Sequence, residues 1–247
     1  VGTFFVPTAP LTLKAKDLMP DQQPTHRPIR SFVLREGRMT EGQQHAFETH
    51  WSRFGVDQPE GQLDLPALFG NDNPVILEIG FGNGDSLLQM AQNRPDYNYL
   101  GIEVHRPGVG HLMLRLAEGD LANVRVMRHD AMEILRHHLA DNSLTGLQLF
   151  FPDPWHKKKH HKRRIVRPEF IEMVRGCLKQ GGFLHMATDW EHYAKQMMAD
   201  LSSAEGFENS DGNGNFSPRP DRRPITKFEL RGERLGHGVW DLIFIRQ

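Results

Sequence analysis

The sequence is short of cysteine, of long apolar runs and of net charge, and each shortage excludes a class of protein. Among 247 residues there is one cysteine, Cys177, so no internal disulfide can staple the chain. Cys177 falls in the apolar pattern Phe170, Ile171, Val174, Leu178 and reads as a buried core thiol. No stretch approaches the roughly eighteen apolar residues of a membrane helix. Pro7 and Pro10 break the one N-terminal segment with any likeness to a secretion signal, which leaves the expectation of a cytoplasmic protein without a membrane partner. A formal net charge of −1 gives the whole molecule no long-range field that would announce a nucleic-acid partner. What remains is the ordinary composition of a globular chain long enough for one sizeable core.

The charge that is present is unevenly spread. Seven Lys or Arg residues and no acid lie between Lys157 and Arg167. Residues 1–28 are Pro-rich and without regular periodicity, and read as a mobile tail. Residues 29–247 read as a single domain, with 29–70 as an N-terminal extension carrying a helix near Glu41 to Phe54 that Thr40 can cap.

From Val75 the text alternates. Val75 to Ile79 reads as a strand and Asp85 to Gln92 as a helix; Tyr97 to Glu103 and Gly110 to Glu118 repeat the unit, as do Val124 to Met127 and Ala131 to Leu139. Leu144 to Phe151, a helix over Pro168 to Leu178, a strand over Gly182 to Ala187 and a helix over Trp190 to Ser202 follow. Loop chemistry begins after Phe207, and the chain ends in a short helix at Lys227 to Leu235 and a strand over Val239 to Ile245. This alternation predicts an α/β, Rossmann-like fold: a mostly parallel central sheet with helices on both faces and a C-terminal antiparallel strand.

A strand, a Gly-rich turn and a helix present backbone N–H groups at the strand's carboxyl end, where doubly wound sheets bind nucleotides. Here the glycines are Gly80, Gly82 and Gly84, and Asp85 stands where a dinucleotide fingerprint would want its third glycine. That spacing disfavours NAD or FAD. S-adenosylmethionine has no pyrophosphate, so its zwitterionic tail and sulfonium tolerate the acids Glu78 and Asp85. Glu103 follows at the next strand end, where a carboxylate can accept from ribose hydroxyls, and Asp130 at the third, placed for an adenine amino group. Each alone is more often a helix cap; three at successive strand ends form a constellation.

The fourth strand runs into Phe150-Phe-Pro-Asp-Pro-Trp-His-Lys-Lys-Lys-His-His-Lys-Arg-Arg. Asp153 between two prolines sits on a stiff loop beside the expected methyl donor, with Trp155 either available to stack on a base or packed as core. The basic run beyond it can neutralise phosphates. His156, His160 and His161 are surrounded by Lys and Arg, and no acid or thiol completes a set, so no metal is expected.

These segments, together with Gly101-Ile-Glu-Val-His, Ala187-Thr-Asp-Trp, Thr226-Lys-Phe-Glu and Gly236-His-Gly-Val-Trp-Asp-Leu, resemble the bacterial tRNA (guanine-N7)-methyltransferases from about Arg27 to the C-terminus. The resemblance implies S-adenosylmethionine as cofactor and guanosine 46 of the tRNA variable loop as target. It implies cofactor binding by Glu78, Glu103, Asp130 and Asp153 around Gly80, Gly82 and Gly84, with Asp153 also catalytic. It implies substrate contacts from Lys157, Asp189, Thr226, Lys227, Phe228 and Glu229, and RNA contacts from Lys159, His160, His161, Lys162, Arg163 and Arg164. tRNA is the expected partner and a monomer the favoured state.

Guanine N7 carries a lone pair and no proton, so methyl transfer there needs in-line positioning and no obligatory base. Glu229 is a candidate to accept from the N1–H and exocyclic amine of guanine. Methylation of an exocyclic base amine and a catalytically silent RNA-binding module are the rival readings.

Overall fold

The alternation that starts at Val75 becomes strand and helix in the computed structural model, which describes residues 29–33, 37–212, 214–226, 229–230, 236 and 238–247. The predicted tail over 1–28 and most of the expected helix at Lys227 to Leu235 lie outside the described residues. Helices α1 (Glu41–Phe54) and α2 (Leu65–Phe69) precede the alternating part. Then come β1 (Val75–Ile79), α3 (Asp85–Asn93), β2 (Asn98–Ile102), α4 (Arg106–Glu118), β3 (Val124–Met127), α5 (Ala131–His137) and β4 (Leu144–Phe150). A 3₁₀ segment (Lys158–Arg163), α6 (Pro168–Cys177), β5 (Leu178–Thr188), α7 (Glu191–Ser202), β6 (Phe207–Asn209) and β7 (Trp240–Arg246) complete the order.

The strands form one sheet in the order β3-β2-β1-β4-β5-β7-β6. β1 to β5 pair in parallel, while β7 runs antiparallel to β5 and β6 antiparallel to β7, as the C-terminal strand was expected to do. The two sheet faces differ. One is built of Leu77, Leu147, Leu184 and Phe244, in register across β1, β4, β5 and β7, and is covered by α5, α6 and α7 through Ile134, Phe170 and Met197. The other packs on α3 and α4 through Leu87, Leu88, Leu112 and Met113, and carries the polar row Glu78, Gln148 and His185.

Three boundaries moved for identifiable reasons. α4 starts at Arg106, four residues before the expected Gly110, because Pro107 in the first turn lacks only an N–H that has no intrahelical partner there. Its glycines had masked the helix by their low propensity. β5 begins at Leu178 instead of Gly182, directly after α6, with a register shift against β4 between Leu144 and Gly146. β6 falls where only loop was expected: three residues take the free edge of β7, too short a run for any period to show.

Within the expected extension, α1 and the residues that follow it pack onto the sheet and α4. Thr40 and Gln43 form a reciprocal capping box at α1, and Ala46 and Phe54 are fully buried against α4. Burying Phe54 contributes about 2–3 kcal/mol. The backbone then bridges to β3 through Val56 N–H and the Val126 carbonyl, at 2.9 Å. Cys177 is buried, as its apolar neighbours predict. Among the described residues no helix is long and apolar enough to cross a membrane.

Candidate active site

The turn after β1 can exist only with glycine. Gly80, Gly82 and Gly84 have φ of +74°, +60° and +79°, in the left-handed region that other residues adopt at a cost. The turn is pressed from one side by α4: a Cβ on Gly108 would lie 2.0 Å from the Gly82 carbonyl oxygen. On the other side a Cβ at Gly80 or Gly82 would meet nothing within 4 Å. Backbone packed behind and open space in front make the turn a cradle.

In front lies a cavity of about 490 Å³ at the carboxyl ends of the strands, with Ile79, Ile102 and Leu149 among its apolar lining. Gly80, Glu103, Asp130 and Asp153 line it, so four of the expected cofactor residues converge on one space. Glu103 is 9% exposed and already accepts three backbone N–H groups, from Gly82 at 2.8 Å, Val104 at 2.7 Å and His105 at 2.9 Å. A carboxylate offers about four acceptor positions, so one is left for a hydroxyl donor. Asp130 caps α5 through Met132 N–H at 3.0 Å and still faces the cavity, so the cap and the site acid are the same residue.

Gly82, Gly84 and Glu78 are not among the residues that line the cavity. Glu78 is 3% exposed, and its Oε2 is buried without a hydrogen-bond partner. Burial, and next the Glu103 carboxylate, push its pKa from 4.5 to about 8. The folded state therefore holds a proton that the unfolded chain releases above pH 4.5, and the stability from Glu78 falls as pH rises from 4.5 through about 8. Glu78→Gln is expected to flatten this part of the thermal-midpoint profile and to raise the midpoint most above pH 8; parallel profiles for the two proteins would remove Glu78 as the cause.

The Pro-Asp-Pro-Trp loop is strained and pinned. Phe151 and Trp155 have φ of +50° and +48°, and between them Asp153 Oδ1 accepts the Trp155 N–H at 2.9 Å, closing an Asx turn. Asp153 is exposed at the cavity rim. Trp155 is not free to stack on both faces: its Nε1 donates to the Ser31 carbonyl at 3.2 Å, and the Arg163 guanidinium lies 3.8 Å from its ring centroid. Arg163 also donates to the Phe32 carbonyl at 2.9 Å. Ser31, Phe32 and Val33 thereby become a wall of the cavity. The sequence reading missed them, since nothing in a short extended segment shows which distant loop it meets.

The basic run divides by exposure. Lys157, Lys158, Lys159 and Lys162 are exposed, and His160, His161 and Arg163 half-buried. Arg164 must be corrected. It is fully buried, donating to the Pro154 carbonyl at 2.8 Å and Gln196 Oε1 at 2.5 Å, with His192 Nδ1 and His161 Nε2 within 3.2 Å and the Tyr193 ring below. It anchors the loop and does not present charge to RNA. The pKa of His161 is lowered by desolvation and by Arg164, which favours its neutral form. Among the described residues no His, Cys, Asp or Glu cluster could hold a metal.

At the C-terminal side, Thr226 and Glu229 form a second capping box: Glu229 N–H donates to Thr226 Oγ1 at 3.2 Å and Thr226 N–H to Glu229 Oε2 at 3.4 Å. Part of the Thr-x-x-Glu signal is thus helix initiation. Glu229 is 4% exposed and both its oxygens accept from Arg223, at 2.7 and 2.9 Å. The expected direct grip on guanine is therefore corrected for this conformation: the carboxylate is turned to Arg223. Arg223 in turn donates to Asp241 at 2.6 and 2.8 Å, and Asp241 meets His185 Nε2 at 2.8 Å. The sequence reading singled out none of Arg223, Asp241 or His185. Asp189 is half-buried after β5, and Lys227 and Phe228 lie outside the described residues.

A doubly wound sheet with a Gly-rich cradle, acids at successive strand ends and a cavity above them defines a methyltransferase. The methyltransferase family model matches residues 72–242. The chain belongs to the tRNA (guanine-N(7)-)-methyltransferase family: it is 58% identical over 220 residues to the member from Pseudoalteromonas translucida, covering 89% of this chain and 91% of the relative. It is 57% identical over 221 residues to that from Pasteurella multocida, covering 90% and 87%. Among solved structures it resembles the 16S rRNA methyltransferase KamB, with a TM-score of 0.57 and 14% identity over 79% of this chain and 99% of that one. An antibiotic-related methyltransferase matches at a TM-score of 0.53 and 16% identity, covering 78% and 95%. These two likenesses speak to the fold alone.

Proposed function

We propose that the protein transfers the methyl group of S-adenosylmethionine to N7 of guanosine 46 in the tRNA variable loop. The observation that carries this reading is the convergence of Gly80, Glu103, Asp130 and Asp153 on one cavity, beside an exposed row of lysines, in a chain of this family. The cavity fits the cofactor on its own chemistry. Ile79, Ile102 and Leu149 suit the faces of an adenine, Asp130 its amino group, and the remaining acceptor position of Glu103 a ribose hydroxyl.

When bound, S-adenosylmethionine supplies a methyl group on a sulfonium. The N7 lone pair forms the new N–C bond as the S–C bond breaks, and no proton has to leave. The protein's work is therefore placement. Asp153, on its stiff loop at the cavity rim, orients the reactants and offers negative charge beside the guanine ring as that ring gains positive charge. Phe150 and Phe151 line the cavity behind it and close one side to water.

Incubation of unmodified tRNA with labelled cofactor, followed by nucleoside mass spectrometry, tests the reading. Label in 7-methylguanosine at position 46 is expected. Label on an exocyclic amine, or cofactor binding without transfer, overturns it.

Phosphate contact is assigned to Lys157, Lys159 and Lys162, which point to solvent beside the Asp153 loop. Replacing all three by Ala is expected to lower the slope of log affinity for tRNA against log salt by about 2–3, at roughly 0.7–0.9 per lost contact. Cofactor affinity is expected to stay unchanged. An unaltered salt slope would place the RNA elsewhere.

A further inference from the structure

The sheet face under α3 and α4 holds a feature that folding does not require. Glu78, Gln148 and His185 are in register on the adjacent strands β1, β4 and β5, so their side chains stand side by side on one face. Each is at least 97% buried, and each has one polar atom without a partner: Glu78 Oε2, Gln148 Oε1 and His185 Nδ1. The neighbouring row on the opposite face is Leu77, Leu147 and Leu184. The same strands thus accept apolar residues, and an unpartnered polar group there is a penalty that needs a reason.

The row has two ends. Glu78 adjoins the Gly-rich turn. His185 continues through Asp241 and Arg223 to Glu229, a cluster that lies behind Phe150 and Phe151, whose ring centroids are 5.9 and 5.8 Å from the Arg223 guanidinium. Donors and acceptors can be followed along it. Asp241 accepts from Arg223, so His185 Nε2 carries the proton toward Asp241 and Nδ1 is an acceptor. Desolvation lowers the His185 pKa, keeping the ring neutral in that tautomer. An amide N–H from Gln148 suits Nδ1. The Gln148 carbonyl then needs a donor, and Glu78, pushed up to about 8 mainly by burial, has an O–H to give. Gln148 also borders a second cavity of about 390 Å³, room enough for a bridging water.

We propose that Gln148 is a positioning residue that joins Glu78 to the His185–Asp241–Arg223–Glu229 cluster in one hydrogen-bonded row bridged by water, and so sets the cofactor turn and the Phe150–Phe151 wall in register. The proposal rests on the reading above that the turn seats the methyl donor in the cavity whose Phe150 and Phe151 wall the Arg223 cluster backs.

Gln148→Leu keeps the volume and removes the link. Because it leaves the Glu78 carboxyl and His185 Nδ1 buried without the partner that Gln148 supplies, its thermal midpoint is expected to fall below that of the wild type. Its kcat is expected to fall about tenfold, while the cofactor Kd and the tRNA KM stay within about twofold. With Asp241→Asn added, the loss in kcat is expected to be no larger than the greater single loss, since both changes cut one network. A kcat within about twofold of wild type, or losses that multiply, overturns the proposal.

The imidazole ¹⁵N spectrum asks the same question without turnover. The His185 Nδ1 resonance, assigned by its loss in His185→Gln, is expected at the position of a hydrogen-bonded acceptor in the wild type and to move in Gln148→Leu. A free-acceptor position in the wild type overturns the row even where the variant fails to fold. A wild type that moves no methyl to tRNA guanine overturns the functional reading instead, and the spectrum still decides the network.

Discussion

Asp153→Ala is expected to lower single-turnover methyl transfer by about a thousandfold, the upper range for removing one preorganised electrostatic group, with cofactor affinity changed far less. Two effects add. The negative charge at the cavity rim is lost, and so is the Asx turn that holds the loop, because Oδ1 no longer accepts the Trp155 N–H. Phe151 and Trp155 are kept in left-handed conformations that cost on the order of 1–3 kcal/mol each, and a loop released from its internal bond can relax them. Asp153→Asn separates the contributions: the carboxamide oxygen can still accept from Trp155, so the loop stays and only the charge goes. A loss of about ten- to a hundredfold is expected for Asn. Wild-type turnover in the Ala variant would remove Asp153 from catalysis.

Arg223→Met is expected to destabilise the protein by about 3–5 kcal/mol in urea unfolding, the largest stability effect foreseen here. Arg223 is 0% exposed and is flanked by Glu229 and Asp241, at 4% and 3%. Its removal leaves two carboxylates facing each other with little water to share. The triple replacement Arg223→Met, Glu229→Gln, Asp241→Asn is expected to regain most of the loss, because it buries no uncompensated charge.

The pH dependence has a definite sign. Burial acts to raise the Asp241 pKa, but hydrogen bonds from His185 and Arg223 outweigh it and hold the carboxyl below its usual value of 3.8. In the wild type that stabilisation is present above pH 3.8 and is lost as pH falls through the lower folded value. Without the guanidinium this share disappears. The gap between wild type and Arg223→Met is therefore widest at neutral pH and narrows below about pH 4. A gap that widens in acid would show that the ion pairs are not the cause.

Much of the fold was legible before any coordinates, because strand and helix periods are local. β1, β3 and β4 fall where the apolar runs placed them, and Thr40 caps α1 as its position suggested. The Gly-rich turn was equally legible: three glycines in five residues after a strand serve a backbone need that no other residue meets cheaply. Glu103, Asp130 and Asp153 could be picked out because acids at the ends of parallel strands are brought to one edge by topology alone.

Arg164 and Glu229 show where reading stops. In the sequence Arg164 is the last of a run of cations, indistinguishable from Lys162; in the structure it faces inward onto Tyr193 and Gln196 while Lys162 faces out. Glu229 carries a capping-box spacing and a family motif at once, and neither reveals Arg223 as its partner. The wall at Ser31 to Val33 was invisible for the same reason, since its partners Trp155 and Arg163 are more than a hundred residues away.

The sequence by itself determined the class of fold, the Gly-rich turn after β1 and the family, because periodicity, glycine spacing and local motifs depend only on neighbours along the chain. Tertiary structure alone decided which cations face solvent, what closes the cavity and how Glu78, Gln148 and His185 come to stand in one row. Those are relations between strands and loops far apart in sequence, set by sheet register and by the cost of leaving a charge or polar group buried without a partner.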